Sequence, residues 1–333
     1  MQSEQNHPIS AHAVSSLVVD DASDGQRIDN FLAKTLKGVP KSHIYRILRS
    51  GEVRVNKGRI DASYKLILGD VVRVPPIRVA SSDKPLVNAP ATSQLQGTII
   101  FEDDALLIID KPAGFAVHGG SGVSRGVIEQ LRLERPKAKF LELVHRLDRE
   151  TSGVLMLAKK RVALVALHEM IRNNQTDKRY LMLVAGEWLE KKKRVTLDLQ
   201  KYVLPNGERR VNVVTDKSKD KYNEAQVSET IFYLKQNFSG FSLLEAQLIT
   251  GRTHQLRVQL AHVCFPMEGD DKYGHYAVNR CLVKKGLKRM FLQSAETKLR
   301  HPVSGDSLKL IAPLPTELQN FINKLDGKNI SNE

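Results

Sequence analysis

The sequence predicts an α+β fold in two parts: a small N-terminal unit of helices and short strands, then a larger domain on a mixed, largely antiparallel sheet. Three observations carry that reading. Apolar residues recur at helical spacing near the N-terminus, at Ile28, Phe31, Leu32 and Leu36 and again at Ile44, Ile47 and Leu48. The stretch ASSDKPLVNAPATSQLQ, residues 80–96, is rich in Ser, Ala and Pro without a period, so it reads as a tether. Beyond it, short strand-like runs outnumber helical ones, and several are spaced as hairpins.

Taken in order, residues 1–25 are polar and lack a sustained period, so a flexible leader is expected there. Residues 26–79 form the small unit. Its second helix follows Pro40, with Ser42 placed to cap its start. Val53, Val55 and Ile60 read as short strands around an Asn56-Lys57-Gly58 turn. Residues 66–74 read as a further strand with a Gly69-Asp70 turn inside it. The larger domain is expected over 97–325, with a tail at 326–333. Its strand candidates are 98–101, 106–109, 154–158, 180–184, 228–234 and 242–248. A helix with Ala163, Leu164, Leu167 and Ile171 on one side follows the third of these, and another covers 254–262.

Composition narrows the function. The 333 residues are 41% apolar, enough for a sizeable core. Lys and Arg number 51 against 37 Asp and Glu, a net charge of +14 that attracts polyanions, nucleic acid first among them. The two cysteines, Cys264 and Cys281, form no C-x-x-C pair, which argues against a disulfide scaffold or zinc ribbon and suits a reducing compartment. Residues 1–13 lack the apolar core of a signal peptide, and runs such as 106–109 are far too short to cross a bilayer. A cytoplasmic monomer without a membrane partner is expected.

The most informative stretch is LVHRLDRETSGVLMLAKK, residues 143–160. Charged residues between two apolar runs place a loop between two buried elements, a favoured site for reactive groups. Asp148 lies in that loop with Arg146 and Arg149 close in sequence, and guanidinium groups favour an ionised carboxylate suited to nucleophilic work. Thr151, Ser152 and Gly153 permit a tight turn. On the residues alone, a loop salt bridge is the favoured reading. His145 and His254 read as structural groups or phosphate contacts.

Other chemistries find less support. The histidines 145, 254 and 262 lack the i, i+4 spacing of common zinc helices, so no metal is expected. GGSGVSRG, residues 119–126, lacks the Lys-Ser/Thr ending of a phosphate-binding loop and reads as a mobile loop. A two-metal nuclease would need clustered carboxylates, and the acidic spots 20–21, 102–104 and 270–271 show no evident partner set. A non-catalytic RNA-binding or ribosome-assembly protein is the remaining alternative.

Longer motifs carry a family resemblance. RIDNFLAKTL, SHIYRILRSGEVRVNKGRI and LGDVVRVP, within 27–75, resemble the S4 RNA-binding domain, with Lys41, Arg46, Arg49, Arg54, Lys57 and Arg59 on its basic face. Such a face sets position and affinity through phosphates, not base identity. HRLDRETSG resembles the signature of a large family of RNA pseudouridine synthases. EDDALLIIDKPAGFAVH at 102–118, KRYLMLVAG at 178–186, and TGRTHQLRVQLAH at 250–262 with GDDKYG at 269–274 resemble that family's other motifs in order. The match covers nearly all of 26–315.

That resemblance implies a cofactor-free isomerisation of several uridines in large-subunit (23S) ribosomal RNA. It places the essential carboxylate on Asp148 and the active-site tyrosine on Tyr180, a residue that otherwise reads as strand core. It places the arginine that pairs with the carboxylate, in a bidentate geometry, on Arg257, which otherwise reads as a surface helix contact. Arg146 resembles the side chain that fills the space left by a flipped base. Whether the aspartate acts as nucleophile or as base stays open.

Overall fold

The computed structural model describes residues 13–36, 38–77, 95–119, 125–215 and 225–327. The chain divides into two compact units, 1–92 and 93–333.

The first unit holds β1 (Ser15–Val18), α1 (Ile28–Thr35), α2 (Lys41–Arg49), β2 (Arg54–Val55) and β3 (Val71–Val74). The strands form an antiparallel sheet in the order β1-β3-β2. Both helices bury one apolar side, Ile28, Phe31 and Leu32 from α1 and Ile44, Ile47 and Leu48 from α2, in one cluster with Leu17, Val53, Val72 and Val74.

Three expectations for this unit need correction. Residues 15–18 are a strand rather than flexible leader, because Leu17 and Val19 bury themselves in the cluster while the backbone covers the otherwise open edge of β3. Ser42 caps nothing: α2 starts at Lys41 after Pro40, whose fixed φ suits a helix entry. The strand expected over 66–74 begins only at Val71. Asp70 closes the turn before it, accepting from the backbone N–H of Ile67 at 2.9 Å and from Asn56 Nδ2 at 2.7 Å.

The second unit opens with a 3-10 turn at Leu95–Thr98, so Leu95 belongs to the core and not to the tether; residues 80–94 of the tether lie outside the described residues. Then follow β4 (Ile99–Glu102), β5 (Leu106–Lys111), α3 (Val127–Glu134), β6 (Glu142–Leu143), β7 (Ser152–Ala158), α4 (Arg161–Arg172) and β8 (Asp177–Ala185). After these come β9 (Lys192–Val203), β10 (Arg209–Val213), β11 (Gln226–Phe238) and β12 (Phe241–Leu248). The chain finishes with α5 (Gln255–His262), α6 (Tyr276–Lys284), β13 (Leu292–Arg300), β14 (Ser307–Ile311) and α7 (Thr316–Leu325). Of the glycine-rich 119–126, residues 120–124 lie outside the described residues.

The sheet runs β10-β9-β11-β12-β8-β13-β7-β5-β4, with β14 on β13 and β6 on β7. Among the described residues every pairing is antiparallel except β7 with β13. Alternation along β8 gives each face its own core. Tyr180, Met182 and Val184 pack with residues of α3 and α5, while Leu183 packs with residues of α6 and α7. The β7–β13 junction is unusually close. Gly153 has φ +110°, and a Cβ there would lie 2.2 Å from the Ser294 carbonyl oxygen, so only glycine fits. That junction sets the exit of the 143–152 loop against the middle of the sheet.

Candidate active site

The loop that carries Asp148 is anchored before any charge is considered. His145 Nε2 accepts from the Met156 backbone N–H at 3.1 Å, and burial pushes this imidazole down to about 3, so it stays neutral. The Asp148 carbonyl takes the Thr151 N–H at 3.1 Å, closing a tight turn. Beneath the loop lies Lys111, fully buried. Its ammonium donates to the carbonyls of Pro112 and Phe115 at 2.9 Å and of Arg149 at 3.1 Å. Burial lowers this lysine to about 7, against the pull of Glu150, Asp148 and Asp110. At the loop's exit Arg289 donates to Ser152 Oγ, and its other nitrogen meets Glu317 at 3.2 Å.

Asp148 faces α5, a helix with almost no exposed side. Gln255, Leu256, Arg257, Val258, Gln259 and Leu260 are all buried. Two glutamines pin it to β11. Gln255 Nε2 donates to the Glu229 carbonyl at 3.0 Å and to Thr230 Oγ1 at 2.9 Å, and Gln259 accepts from the same hydroxyl at 2.7 Å. His254 turns the chain into the helix in the left-handed region, at φ 51°.

The guanidinium of Arg257 is thereby fixed. Nε and Nη2 grip Asp270 at 2.7 and 2.6 Å, Nη2 also reaches Asp271 at 3.3 Å, and Nη1 reaches Asp148 at 3.4 Å. Two expectations are corrected here. The bidentate partner of Arg257 is Asp270, whose side chain is wholly buried, and Asp148 receives a single longer contact. Nor do the sequence neighbours of Asp148 supply its cation. Arg149 donates to the Gly114 carbonyl at 2.9 Å and lies 3.5 Å from Glu150. Arg146 is exposed, without a partner among the described residues. Burial opposes the charge of Arg257, but the hydrogen bonds and charge of Asp270, then Asp148 and Asp271, outweigh it and hold the guanidinium above its ordinary value.

The remaining wall is aromatic. Tyr180 is buried on β8, and burial together with the Asp148 charge pushes its phenol up to about 12 although Ser294 hydrogen-bonds to it. His254 Nε2 stands 3.9 Å from Asp148, its Nδ1 lies 2.8 Å from the Tyr273 hydroxyl, and burial lowers its pKa. A cleft of about 90 Å³ is lined by Arg146, Asp148, Thr151, Tyr180, Gly251 and Arg257 among others. Among the described residues no group of three His, Cys, Asp or Glu could hold a metal, and no helix is long and apolar enough to cross a membrane.

The structure thus gathers Asp148, Tyr180, Arg257 and Arg146 around one cleft. The basic residues Lys41, Arg46, Arg49, Arg54 and Lys57 lie on the separate first unit, all exposed. Arg54 stands directly opposite Arg73 across β2 and β3, a like-charge pairing. Sequence reasoning missed Asp270, Lys111 and Tyr273. Asp270 was visible as an acidic pair without a partner, and Lys111 as a lone cation closing an apolar strand.

Comparison with known proteins agrees in extent. The family model for RNA pseudouridylate synthase matches residues 105–262, and that for the S4 domain matches 26–72. The ribosomal large subunit pseudouridine synthase C of Yersinia pestis is 48% identical over 319 residues, 95% of this chain and 96% of that one. The protein of the same name from Pasteurella multocida is 45% identical over 334 residues, 100% of both chains. The solved structure of human RNA pseudouridylate synthase domain containing 4 matches with TM-score 0.55 at 25% identity, over 70% of this chain and 94% of that one. Human RNA pseudouridylate synthase domain containing 1 shares the fold, with TM-score 0.53 at 20% identity over 69% and 94%.

Proposed function

The chain belongs to the RNA pseudouridylate synthase family, and from that premise we propose that it converts uridines of large-subunit ribosomal RNA to pseudouridine, with Asp148 as the catalytic carboxylate. The observation that carries the reading is the meeting of Asp148, Tyr180 and the anchored Arg257 at one narrow cleft. The substrate class rests on the names of full-length relatives such as the one from Yersinia pestis.

The reaction breaks the bond from N1 of uracil to C1′, rotates the base, and joins C5 to C1′; C5 gives up a proton and N1 gains one. A carboxylate serves as nucleophile at C1′ or as the base that begins elimination across the sugar, and the cleft suits both. Arg257 aims one N–H at Asp148 while Asp270 holds the guanidinium still, which orients the carboxylate without moving parts. Tyr180, at about 12, keeps its proton at neutral pH. It offers uracil a ring to stack on and an O–H to donate, and is not itself a resting base. Arg146, exposed at the cleft margin, fills the space that the flipped uridine leaves in its stack. The exposed cations of the first unit hold phosphates and bring RNA to the cleft.

Nucleoside analysis of unmodified large-subunit ribosomal RNA after incubation with the pure protein tests the proposal. Pseudouridine should accumulate in proportion to enzyme and time, and its absence would sink the reading.

A further inference from the structure

Lys178 is a buried cation that the reaction does not use. It sits two residues before Tyr180 on β8, on the same inward face, and only 9% of it is exposed. Among the described residues its ammonium has no hydrogen-bond acceptor and no carboxylate within ion-pair reach. The acid beside it in sequence, Asp177, is engaged elsewhere: Arg179 holds it at 2.9 and 3.1 Å, and Gln247 donates to it at 3.0 Å. The nearby imidazole of His145 is neutral and further lowered by the lysine's charge. Burial alone depresses Lys178, as expected where nothing answers the charge.

What the ammonium does face is a gap. A Cβ built on Gly251 would meet Lys178 Nζ at 4.0 Å and no atom closer. Gly251 lies outside the left-handed region, so its backbone makes no demand for glycine. The missing side chain leaves Nζ beside Gly251, which helps to line the Asp148 cleft. With no acceptor from the described residues, the ammonium is left to water or to a ligand. An anion is the answer that the neighbouring Arg146 and Arg252 also favour, since both line the same cleft.

We propose that Lys178, seen through the gap at Gly251, forms an anion subsite that takes a backbone phosphate of the RNA beside the target uridine. The proposal rests on reading the Asp148 cleft as the uridine site. Lys178 is here a binding residue that fixes the strand's register relative to Asp148, distinct from the exposed cations that set general affinity.

The test compares the wild type with Lys178→Met and Gly251→Ala, using a transcript of large-subunit ribosomal RNA as probe, binding measured across potassium chloride concentrations, and thermal melting. Methionine keeps the length and apolar stem while deleting the charge. Lys178→Met should melt no lower than the wild type, yet bind roughly tenfold more weakly. Its log–log salt slope should be shallower by about 0.7, the loss of one single-strand phosphate contact. Gly251→Ala should close the gap and shift affinity in the same direction without lowering the melting temperature. An unchanged salt slope in Lys178→Met, or a lower melting temperature with unchanged affinity, would overturn the subsite. Tritium release from 5-tritiated uridine by the wild type on the same transcript separates the two claims: no release with intact binding faults the uridine reading, while the slopes still judge Lys178.

Discussion

Asp270 and Asp148 share one guanidinium unequally: Arg257 holds Asp270 with two bonds of 2.6 and 2.7 Å and spares Asp148 a single contact of 3.4 Å. Asp270 is the buried partner and Asp148 is the partly open one. The short bonds supply rigidity, and the long one leaves the carboxylate proposed to react free to leave its cation. A carboxylate clamped in the fork itself would be a poor nucleophile and a poor base.

Replacing Asp148 by Asn keeps size and loop geometry but removes the charge. Asp148→Asn should lower tritium release from 5-tritiated uridine RNA by at least roughly a thousandfold, as for nucleophiles of comparable sites. Circular dichroism and RNA affinity should stay near wild type, because the loop is held by His145, Lys111 and Arg289 instead. Substantial turnover by the Asn variant would remove Asp148 from the chemistry.

Asp270→Asn attacks the same network from behind. It leaves Arg257 buried with its main counter-charge gone, a change that costs about 3–5 kcal/mol when one partner of a buried pair is lost. Urea unfolding reads that loss. Where folded, the variant should show a lower single-turnover rate at saturating RNA, with affinity little changed, since Asp270 itself is out of reach of RNA. Equal stability with a normal rate would mean that the fork does not position Asp148.

Why Asp270 escaped the sequence is physical. An acidic pair in a loop looks solvated until the fold brings a buried arginine from thirteen residues upstream onto it. Lys111 escaped for a related reason, because its partners are three backbone carbonyls, which no side-chain pattern announces. Strands such as Tyr180–Val184 were legible as short continuous apolar runs, because both faces of the sheet are covered there and Met182, Leu183 and Val184 are all buried. The strand β1 was not, because its four residues alternate only once against a polar background. The site's outline was legible through motif order; the fork's true partner needed distances.

Lys111 gives the protein a pH signature. In the unfolded chain it titrates near 10.5, in the folded protein at about 7. Between those values the unfolded chain keeps a proton that the folded protein releases, so stability from this group rises with pH through that window and is lowest below it. The slope is at most about 1.4 kcal/mol per pH unit. Three carbonyl acceptors match the ammonium's three protons and work against the shift, narrowing the window from its lower end. Urea midpoints taken from pH 7 to 10 should therefore climb more in the wild type than in Lys111→Met. A constant offset is expected from the orphaned carbonyls, and parallel curves would exclude the linkage.

Cells lacking this chain should lose pseudouridine at more than one position of large-subunit ribosomal RNA, with transfer RNA unchanged. The cleft is small, and under the proposed function it takes one flipped base, which supplies little information about flanking sequence. The exposed cations of the first unit are proposed to contact phosphates, which carry none. Selection must then rest on RNA shape, and any uridine in a bendable single-stranded or bulged segment presents much the same shape. Several targets follow from that economy of readout. Chemical mapping of pseudouridine in ribosomal and transfer RNA from a deletion strain decides the matter. Loss confined to transfer RNA would refute the substrate while leaving the synthase, and a single lost position would show that the cleft's margins read more sequence than their phosphate contacts imply.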